Sequence, residues 1–225
     1  MSSRYRIFDS PEEVARAAAG VVAEELRAGA QTLVLAGGSV NIRTCQLLGD
    51  EPQVAWGRVT VLFGDERCVP PDHPDSNFRQ AHEALLGRVW PLTVHRMPGE
   101  LGPEEGAAAY EDVVRRVESF DLLLLGMGPD GHTASLFPGH PALEARGLVV
   151  GVRDSPKPPP ERISLTLAAL RSARRILILA AGEDKAEAAL RASRAQVPSG
   201  MIEHATWILD RAAASQLPAE AVSAN

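Results

Sequence analysis

Short apolar runs recur along the chain and alternate with longer amphipathic stretches. The runs have the length of strands, and several of them end in glycine. The first four are QTLVLAGG, RVTVLFGDER, the weaker TVHRM and FDLLLLGMG, and the later ones are LVVGV, RISLTL, RRILILAA and ATWIL. FDLLLLGMG is almost continuously apolar, which is typical of a strand buried on both faces. The pattern therefore predicts a sheet that is covered by helices on both sides.

The stretch between residues 9 and 29 predicts the first helix. Ser10 is a suitable N-cap, Pro11 takes the first helical position, and Glu13 stands three residues after the cap, which completes a capping box. Further helix-forming stretches are SNFRQAHEALL and PEEGAAAYEDVVRRVES. This alternation predicts an α/β fold, a three-layer αβα and Rossmann-like arrangement with a mainly parallel sheet. Because no long linker or repeat divides the chain, we expect a single domain over residues 1–225.

Polar loops follow four of the predicted strands. They read AGGS, GDER, GMGPDGH and AAGEDK. The carboxyl ends of parallel strands meet at one edge of a sheet, where ligands of such folds bind. We therefore expect these loops to share one site, with the stiff proline-rich segment PKPPPER as a further loop at its rim.

Composition and charge narrow the class of function. The 225 residues are 45% hydrophobic and 23% charged, with 4% aromatics and a net charge of -6. Few aromatics and a negative charge argue against nucleic acid, although a small anionic ligand remains possible where cations cluster. The two cysteines suggest no disulfide framework, and no apolar run has the length of a membrane span. We expect a cytoplasmic protein, a monomer or small homo-oligomer, without a membrane or nucleic-acid partner.

The loop GMGPDGHTASLFPG allows two functional interpretations. Its glycines fit the dinucleotide pattern GxGxxG, and Asp154 lies about 20 residues further on, where an acid that binds ribose would stand. However, Pro138 and Pro141 prevent the long helix that this motif should open. In the alternative interpretation the glycines hold His132 at a cleft as a base, and Asp130 orients its ring. A glycine-rich turn without a ligand is the third possibility.

The second loop, GDER, offers Asp65, Glu66 and Arg67, and the long segment CVPPDHPDSN follows it. A guanidinium matches carboxylate, phosphate or a developing oxyanion with paired donors, so Arg67 is the strongest candidate of the three. The alternative is an exposed turn held by salt bridges. Cys68 lacks a histidine in fixed spacing and is interpreted as a structural thiol.

The first loop, AGGSVNIRT, predicts a glycine turn that opens a helix and can hold an anion with Ser39 and backbone N–H groups. A tight turn without a ligand is the alternative. The chain has neither the Walker GK[ST] nor GxSxG, and the absence of HExxH or a His/Cys cluster predicts no metal. Arg162 and Lys185, with Ser39 and Arg43, would form a phosphate pocket.

Together, AGGS, FGDERCVPPDHPDSNFR, LGMGPDGHTASLFPG, RISLTL and GEDKAEA resemble the motif series of the 6-phosphogluconolactonases, in the expected order and over most of the chain. The resemblance implies a hydrolase without a cofactor, which converts 6-phospho-D-glucono-1,5-lactone to 6-phosphogluconate in the oxidative pentose phosphate pathway. The sister amino-sugar-phosphate isomerases and deaminases carry loops that resemble MDEY and GxDGHIAFNEP instead.

The resemblance also implies roles for single residues. His132 would activate water as a general base with Asp130 beside it, and Arg67 would contact the reacting end of the sugar. Apart from the resemblance, Asp65 in GDER is the next candidate for the base if His132 does not serve. The residues implied in phosphate binding are Gly37, Gly38, Ser39, Arg162 and Lys185.

One position departs from the family pattern. The family commonly reads GGSTP where this chain has Val40 and Asn41 after Ser39, so the threonine hydroxyl and the helix-starting proline are lost. Arg43 is the candidate to compensate. The rival interpretations are an isomerase or deaminase of the sister family and a non-catalytic sugar-phosphate-binding protein, such as the effector-binding module of a regulator. The absence of a helix-turn-helix domain or of any basic segment argues against the second.

Overall fold

The computed structural model describes residues 5–117 and 119–222. Its strands are β1 (Tyr5–Phe8), β2 (Thr32–Leu35), β3 (Thr60–Phe63), β4 (Asp65–Arg67), β5 (Thr93–Val94), β6 (Leu122–Gly126), β7 (Val149–Val152), β8 (Arg162–Leu165), β9 (Arg175–Ala180) and β10 (Thr206–Asp210). Its α-helices are α1 (Pro11–Arg27), α2 (Ser39–Leu48), α3 (Asn77–Ala81), α4 (Pro103–Arg116), α5 (Leu167–Arg171), α6 (Ala186–Ser193) and α7 (Ala219–Val222).

Seven of the described strands form one sheet, in the order β1-β10-β9-β6-β2-β3-β5. Every neighbouring pair in this sheet is parallel. Successive side chains of a strand face opposite sides, so the burial of residues 122–125 in β6 means that both faces of the sheet are covered there. The prediction of an α/β fold with a mainly parallel sheet is confirmed.

The first helix forms where the sequence predicts it. The Ser10 hydroxyl accepts a hydrogen bond from the Glu13 N–H at 3.3 Å, and the Glu13 carboxylate accepts one from the Asp9 N–H at 2.8 Å. The Glu13 carboxylate thus binds the N–H of Asp9, the residue before the N-cap Ser10, and not the N–H of Ser10 itself. Helix α1 packs against α2, β9 and β10.

No helix within the described ranges is long and apolar enough to cross a membrane.

Strands β4, β8 and β7 form a separate antiparallel sheet. The expectation that LVVGV and RISLTL continue the alternation of the parallel sheet is therefore wrong. The segment 153–161 between β7 and β8 is too short for the crossover of about a dozen residues that parallel neighbours need, so the two strands pair as a hairpin. Gly64 links β3 to β4, and its carbonyl accepts the Leu165 N–H at 2.8 Å, which joins the two sheets.

The first strand, β1, is not predicted from the sequence. It has four residues, of which Tyr5 alone is buried, and it lies at the edge of the sheet beside β10. A short strand that buries one side chain has almost no apolar pattern, so its pairing with β10 decides its conformation.

The positions at which β2, β3, β6 and β9 end determine where the site lies. These strands are parallel members of one sheet, so their carboxyl ends lie at the same edge. The AGGS, GMGPDGH and AAGEDK segments follow the ends of β2, β6 and β9. The GDER segment follows β3, but it is not the loop that the sequence predicts, because its residues 65–67 form strand β4, which pairs with β8.

Candidate active site

A cavity of about 320 Å³ lies at this edge of the sheet. The loops after β2, β6 and β9 and the strand β4, which follows β3, all contribute to its wall, together with the 157–158 segment of the proline-rich loop. The predicted site residues that line it are Gly37, Gly38, Ser39, Asp65, Arg67, His132, Arg162 and Lys185. The structure thus brings side chains that are far apart in sequence into one place.

His132 and Asp130 form a hydrogen-bonded pair. The His132 Nδ1 lies 2.5 Å from the Asp130 Oδ1, and the His132 N–H also donates to this oxygen at 3.3 Å. Burial alone would raise the pKa of Asp130, but the hydrogen bond and charge of His132, with a contribution from Lys157, hold it well below its ordinary value. The carboxylate therefore stays ionised and fixes the ring with Nδ1 towards it. This leaves Nε2 as the ring nitrogen that can exchange a proton with a ligand.

The glycines around His132 allow close packing of the loop. A Cβ on Gly128 would lie 2.0 Å from the His132 ring, and a Cβ on Gly131, whose φ is +85°, would lie 2.5 Å from the Val197 Cβ. The Gly128 N–H donates to the His132 carbonyl at 2.9 Å. The ring of Phe137 packs against His132, with centroids 4.7 Å apart. The imidazole is thus held on several sides, as a catalytic group requires.

The GDER segment contributes two carboxylates with different environments. Asp65 accepts hydrogen bonds from the Ser135 hydroxyl at 2.7 Å and the Asn77 side-chain amide at 3.1 Å. Glu66 accepts from the N–H groups of Asn77 and Phe78 at the start of α3. Burial raises the pKa of Glu66, although these N–H donors lower it in part. Glu66 therefore stabilises the loop, whereas Asp65 borders the cavity.

Two guanidinium groups face the same cavity. Arg67 donates from Nη1 to the Asp75 carbonyl at 2.5 Å, and its buried Nε has no partner within the described chain. Arg162 is 4% exposed and donates to the carbonyls of Lys157, Pro158 and Pro159 at 3.0–3.1 Å. Burial lowers the pKa of Arg162, which the negative charge of Asp65 partly offsets. Arg162 thus also holds the proline-rich loop, a role that the sequence does not indicate.

The turn after β2 provides a second polar region of the cavity. Gly38 has a φ of +101°, which favours glycine, and Ser39 begins α2, so free N–H groups of a helix start lie beside the cavity. Lys185, from the loop after β9, has a side chain 19% exposed and an Nζ 2.8 Å from the Asp184 carboxylate. Helix N–H groups and an ammonium group together can bind an anion.

Comparison with known proteins identifies the family of this chain. The family model described as glucosamine-6-phosphate isomerases/6-phosphogluconolactonase matches residues 9–214. The chain belongs to this family. The 6-phosphogluconolactonase of Streptomyces coelicolor is 42% identical over 91% of this chain and 88% of its own length. The 6-phosphogluconolactonase of Mycobacterium tuberculosis is 39% identical over 97% of this chain and 100% of its own. The solved structure of the 6-phosphogluconolactonase from Trypanosoma brucei has a TM-score of 0.87 and 25% identity, and the match covers 97% of this chain and 99% of that one.

Within this family fold, Arg43 does not reach the cavity. Its guanidinium donates to the Glu12 carboxylate on α1 at 2.7 and 2.8 Å, and Nη1 donates to Gln46 at 3.1 Å. The suggestion that Arg43 replaces the lost Thr-Pro pair is therefore corrected, because a carboxylate on the neighbouring helix holds the side chain outside the site.

Three polar side chains for which the sequence predicts no role in the site also line the cavity, namely those of Asn41, Asn77 and Lys157. Lys157 lies within the proline-rich segment PKPPPER, and its Nζ lies 3.8 Å from the Asp130 carboxylate. Asn77 belongs to the sequence segment DSN, in which no pattern indicates that its side chain binds Asp65. Among the described residues no group of three or more His, Cys, Asp or Glu side chains could hold a metal ion.

The two thiols are both free, Cys45 buried and Cys68 half-buried. Burial raises the pKa of Cys45 to about 12, and burial together with nearby glutamates raises the pKa of Cys68 to about 12 as well. Neither belongs to the cavity wall.

Proposed function

We propose that this protein hydrolyses 6-phospho-D-glucono-1,5-lactone to 6-phospho-D-gluconate, as a cytoplasmic enzyme of the oxidative pentose phosphate pathway. The relatives that match over most of their length carry the 6-phosphogluconolactonase name. The observation that carries the proposal is the His132–Asp130 pair, which opens on a cavity that also holds an anion-binding turn. Hydrolysis of an ester by water needs no redox or group-carrying cofactor, and none is included in the proposal.

The phosphate would bind between the Gly37–Ser39 turn and Lys185. Helix N–H groups favour an anion, and an ammonium group adds a charge-assisted hydrogen bond. Arg162, which is buried beside the proline-rich loop, would add positive charge to the same region. A phosphate fixed at one end orients the ring so that its carbonyl carbon can face His132.

His132 would act as base and then as acid. Its Nε2 removes a proton from water while the water oxygen forms a bond to C1 of the lactone, and the carbonyl oxygen becomes an oxyanion. The oxyanion collapses, the bond from C1 to the ring oxygen breaks, and the ring oxygen takes the proton from His132. The product carries a carboxyl group, which ionises, and a free hydroxyl at C5. Asp130 stabilises the charged imidazole between the two steps.

Arg67 would stabilise the oxyanion. Arg67 lines the cavity, and its guanidinium offers several N–H donors. A donor aimed at developing charge lowers the barrier more than it strengthens substrate binding. Asp65 would remain the alternative base, although both its oxygens already accept hydrogen bonds from Asn77 and Ser135.

Turnover of freshly generated lactone tests the proposal. The enzyme should hydrolyse the 6-phospholactone faster than the lactone hydrolyses spontaneously. Its kcat/KM for unphosphorylated gluconolactone should be lower by a factor of about 100 or more, because the phosphate contacts are lost. Release of ammonia from glucosamine 6-phosphate is measured in parallel. Ammonia release without lactone hydrolysis would favour the deaminase function of the family, and binding without either reaction would favour a sugar-phosphate-binding protein.

A further inference from the structure

Asn41 is almost completely buried at the first turn of α2, and it lines the cavity. It stands where the family commonly carries proline, a residue whose fixed φ orders the first turn of a helix. The side chain of Asn41 is 2% exposed, which is unusual for a neutral amide unless it is hydrogen-bonded. Its contacts explain what it does there.

The Asn41 side-chain amide joins two loops of the site. Its Nδ2 donates to the Gly37 carbonyl at 2.8 Å. The same nitrogen lies 3.0 Å from the position that a Cβ on Gly126 would take, so it packs directly on the backbone at the end of β6. The turn after β2 is thus fixed relative to the loop that carries His132.

The opposite side of Gly37 is also occupied. A Cβ on Gly37 would lie 2.2 Å from the Asn77 Oδ1, and the Asn77 Nδ2 donates to the Asp65 carbonyl and carboxylate at 2.9 and 3.1 Å. Gly37 therefore lies between two buried amides. One of them, Asn41, binds its carbonyl, and the other packs against its Cα.

The hydrogen bond to Gly37 sets the direction of the next N–H. In a trans peptide the C=O and N–H bonds point in opposite directions, so holding the Gly37 carbonyl towards Asn41 turns the Gly38 N–H away from it. The Gly38 N–H makes no backbone hydrogen bond within the described chain and remains for a ligand. A peptide between two glycines rotates at little steric cost, and without the bond its carbonyl could turn towards an incoming anion.

The environment of the amide oxygen of Asn41 indicates that a contribution to stability alone does not explain this residue. Its Oδ1 is buried and has no hydrogen-bond partner in the part of the chain that the structure describes. An apolar side chain of similar size would fill this space without leaving a buried acceptor unpaired. The asparagine is therefore useful for what its Nδ2 holds.

We propose that Asn41 is a positioning residue, which fixes the Gly37–Gly38 peptide so that the turn can receive the phosphate group of the substrate. The proposal rests on the proposed function, and it assigns to Asn41 the ordering role that proline would have at this position. It also replaces Arg43, which Glu12 holds outside the cavity, as the residue that compensates for the departure from the family pattern.

The test compares Asn41→Leu, and Asn41→Ala as a second variant, with Gln46→Ala as a control on the same helix outside the cavity wall. Calorimetry measures the affinity for 6-phosphogluconate and for gluconate, and kinetics measure both lactones. We expect the Asn41 variants to bind 6-phosphogluconate about tenfold more weakly and to raise KM for the phospholactone by a similar factor. Their kcat, and their kcat/KM for the unphosphorylated lactone, should stay within about threefold of wild type.

The outcomes separate this inference from the proposed function. Wild-type protein that neither binds 6-phosphogluconate nor turns over the lactone would overturn the proposed function. Wild-type activity with unchanged affinity and KM in both Asn41 variants would overturn the role of Asn41. Equal losses on the phosphorylated and unphosphorylated lactones would also overturn it, because a general disturbance of the site would then explain the result.

Discussion

Replacement of Gly128 by alanine should reduce catalysis by displacing His132 and its partner Asp130. A Cβ at residue 128 would lie 2.0 Å from Nδ1 and Cε1 of the imidazole and 2.6 Å from the Asp130 Oδ1. To go from 2.0 Å to an ordinary contact of 3.4 Å, the ring must move by about 1.4 Å. Gly128 is not among the glycines with positive φ, so the substitution adds no strain of that kind.

A displacement of this size is large for a catalytic group. A misplacement of about 1 Å can reduce a rate about 100-fold. We therefore expect Gly128→Ala to reduce kcat for the phospholactone by about 100-fold, while KM changes less, since the phosphate contacts lie on other loops. The control is Gly20→Ala in α1, where a Cβ would meet no atom within 4 Å.

The assay is the initial rate of hydrolysis, corrected for the spontaneous reaction, together with the thermal midpoint of each variant. We expect a Gly128→Ala protein that is folded and slow, and a Gly20→Ala protein with wild-type kcat. If folded Gly128→Ala retained kcat within about twofold of wild type, the ring position described above would not be the one used in catalysis.

Further predictions concern the charged groups of the site. Lys185→Met should raise KM for the phospholactone about tenfold or more with a smaller change in kcat, and a fall in kcat alone would contradict its role at the phosphate. Arg67→Met should show the reverse balance, and a change in KM alone would place it at the phosphate instead. Because the pKa of Asp130 is lowered in the folded state, the stability that its ionised form contributes should be present at neutral pH and fade as the pH falls below its ordinary value of 3.8. The difference in unfolding free energy between wild type and Asp130→Asn should therefore shrink in acid, and a constant difference would contradict this.

The main sheet could be predicted because its central strands are marked by local composition. A run such as residues 122–125 is buried on both faces and is apolar at every position. The edge strand β1 buries only Tyr5, so the sequence around it lacks that signal. The antiparallel sheet was missed for another reason: β4 pairs with β8 about 100 residues away, and no local pattern encodes that partner.

The site could be located from sequence because carboxyl ends of parallel strands share an edge. The direction of each side chain could not be predicted in the same way. Arg43 is basic and close to Ser39, but Glu12 of α1 binds it outside the cavity. Asn41 looked like a loss relative to the family pattern, whereas its amide holds Gly37. Both outcomes depend on residues that become neighbours only after folding.

The role of His132 as the base is tested most directly by the rate of His132→Asn on freshly generated 6-phosphogluconolactone, measured beside wild type and the control His204→Asn. His204 is exposed, and its Nε2 lies 3.2 Å from the Ala173 carbonyl, away from the cavity. General acid–base catalysis contributes about 100- to 10,000-fold, so kcat of His132→Asn should fall by a factor in this range with little change in KM. A His132→Asn protein with near-normal kcat would contradict the role of His132 as the base and make Asp65 the candidate base.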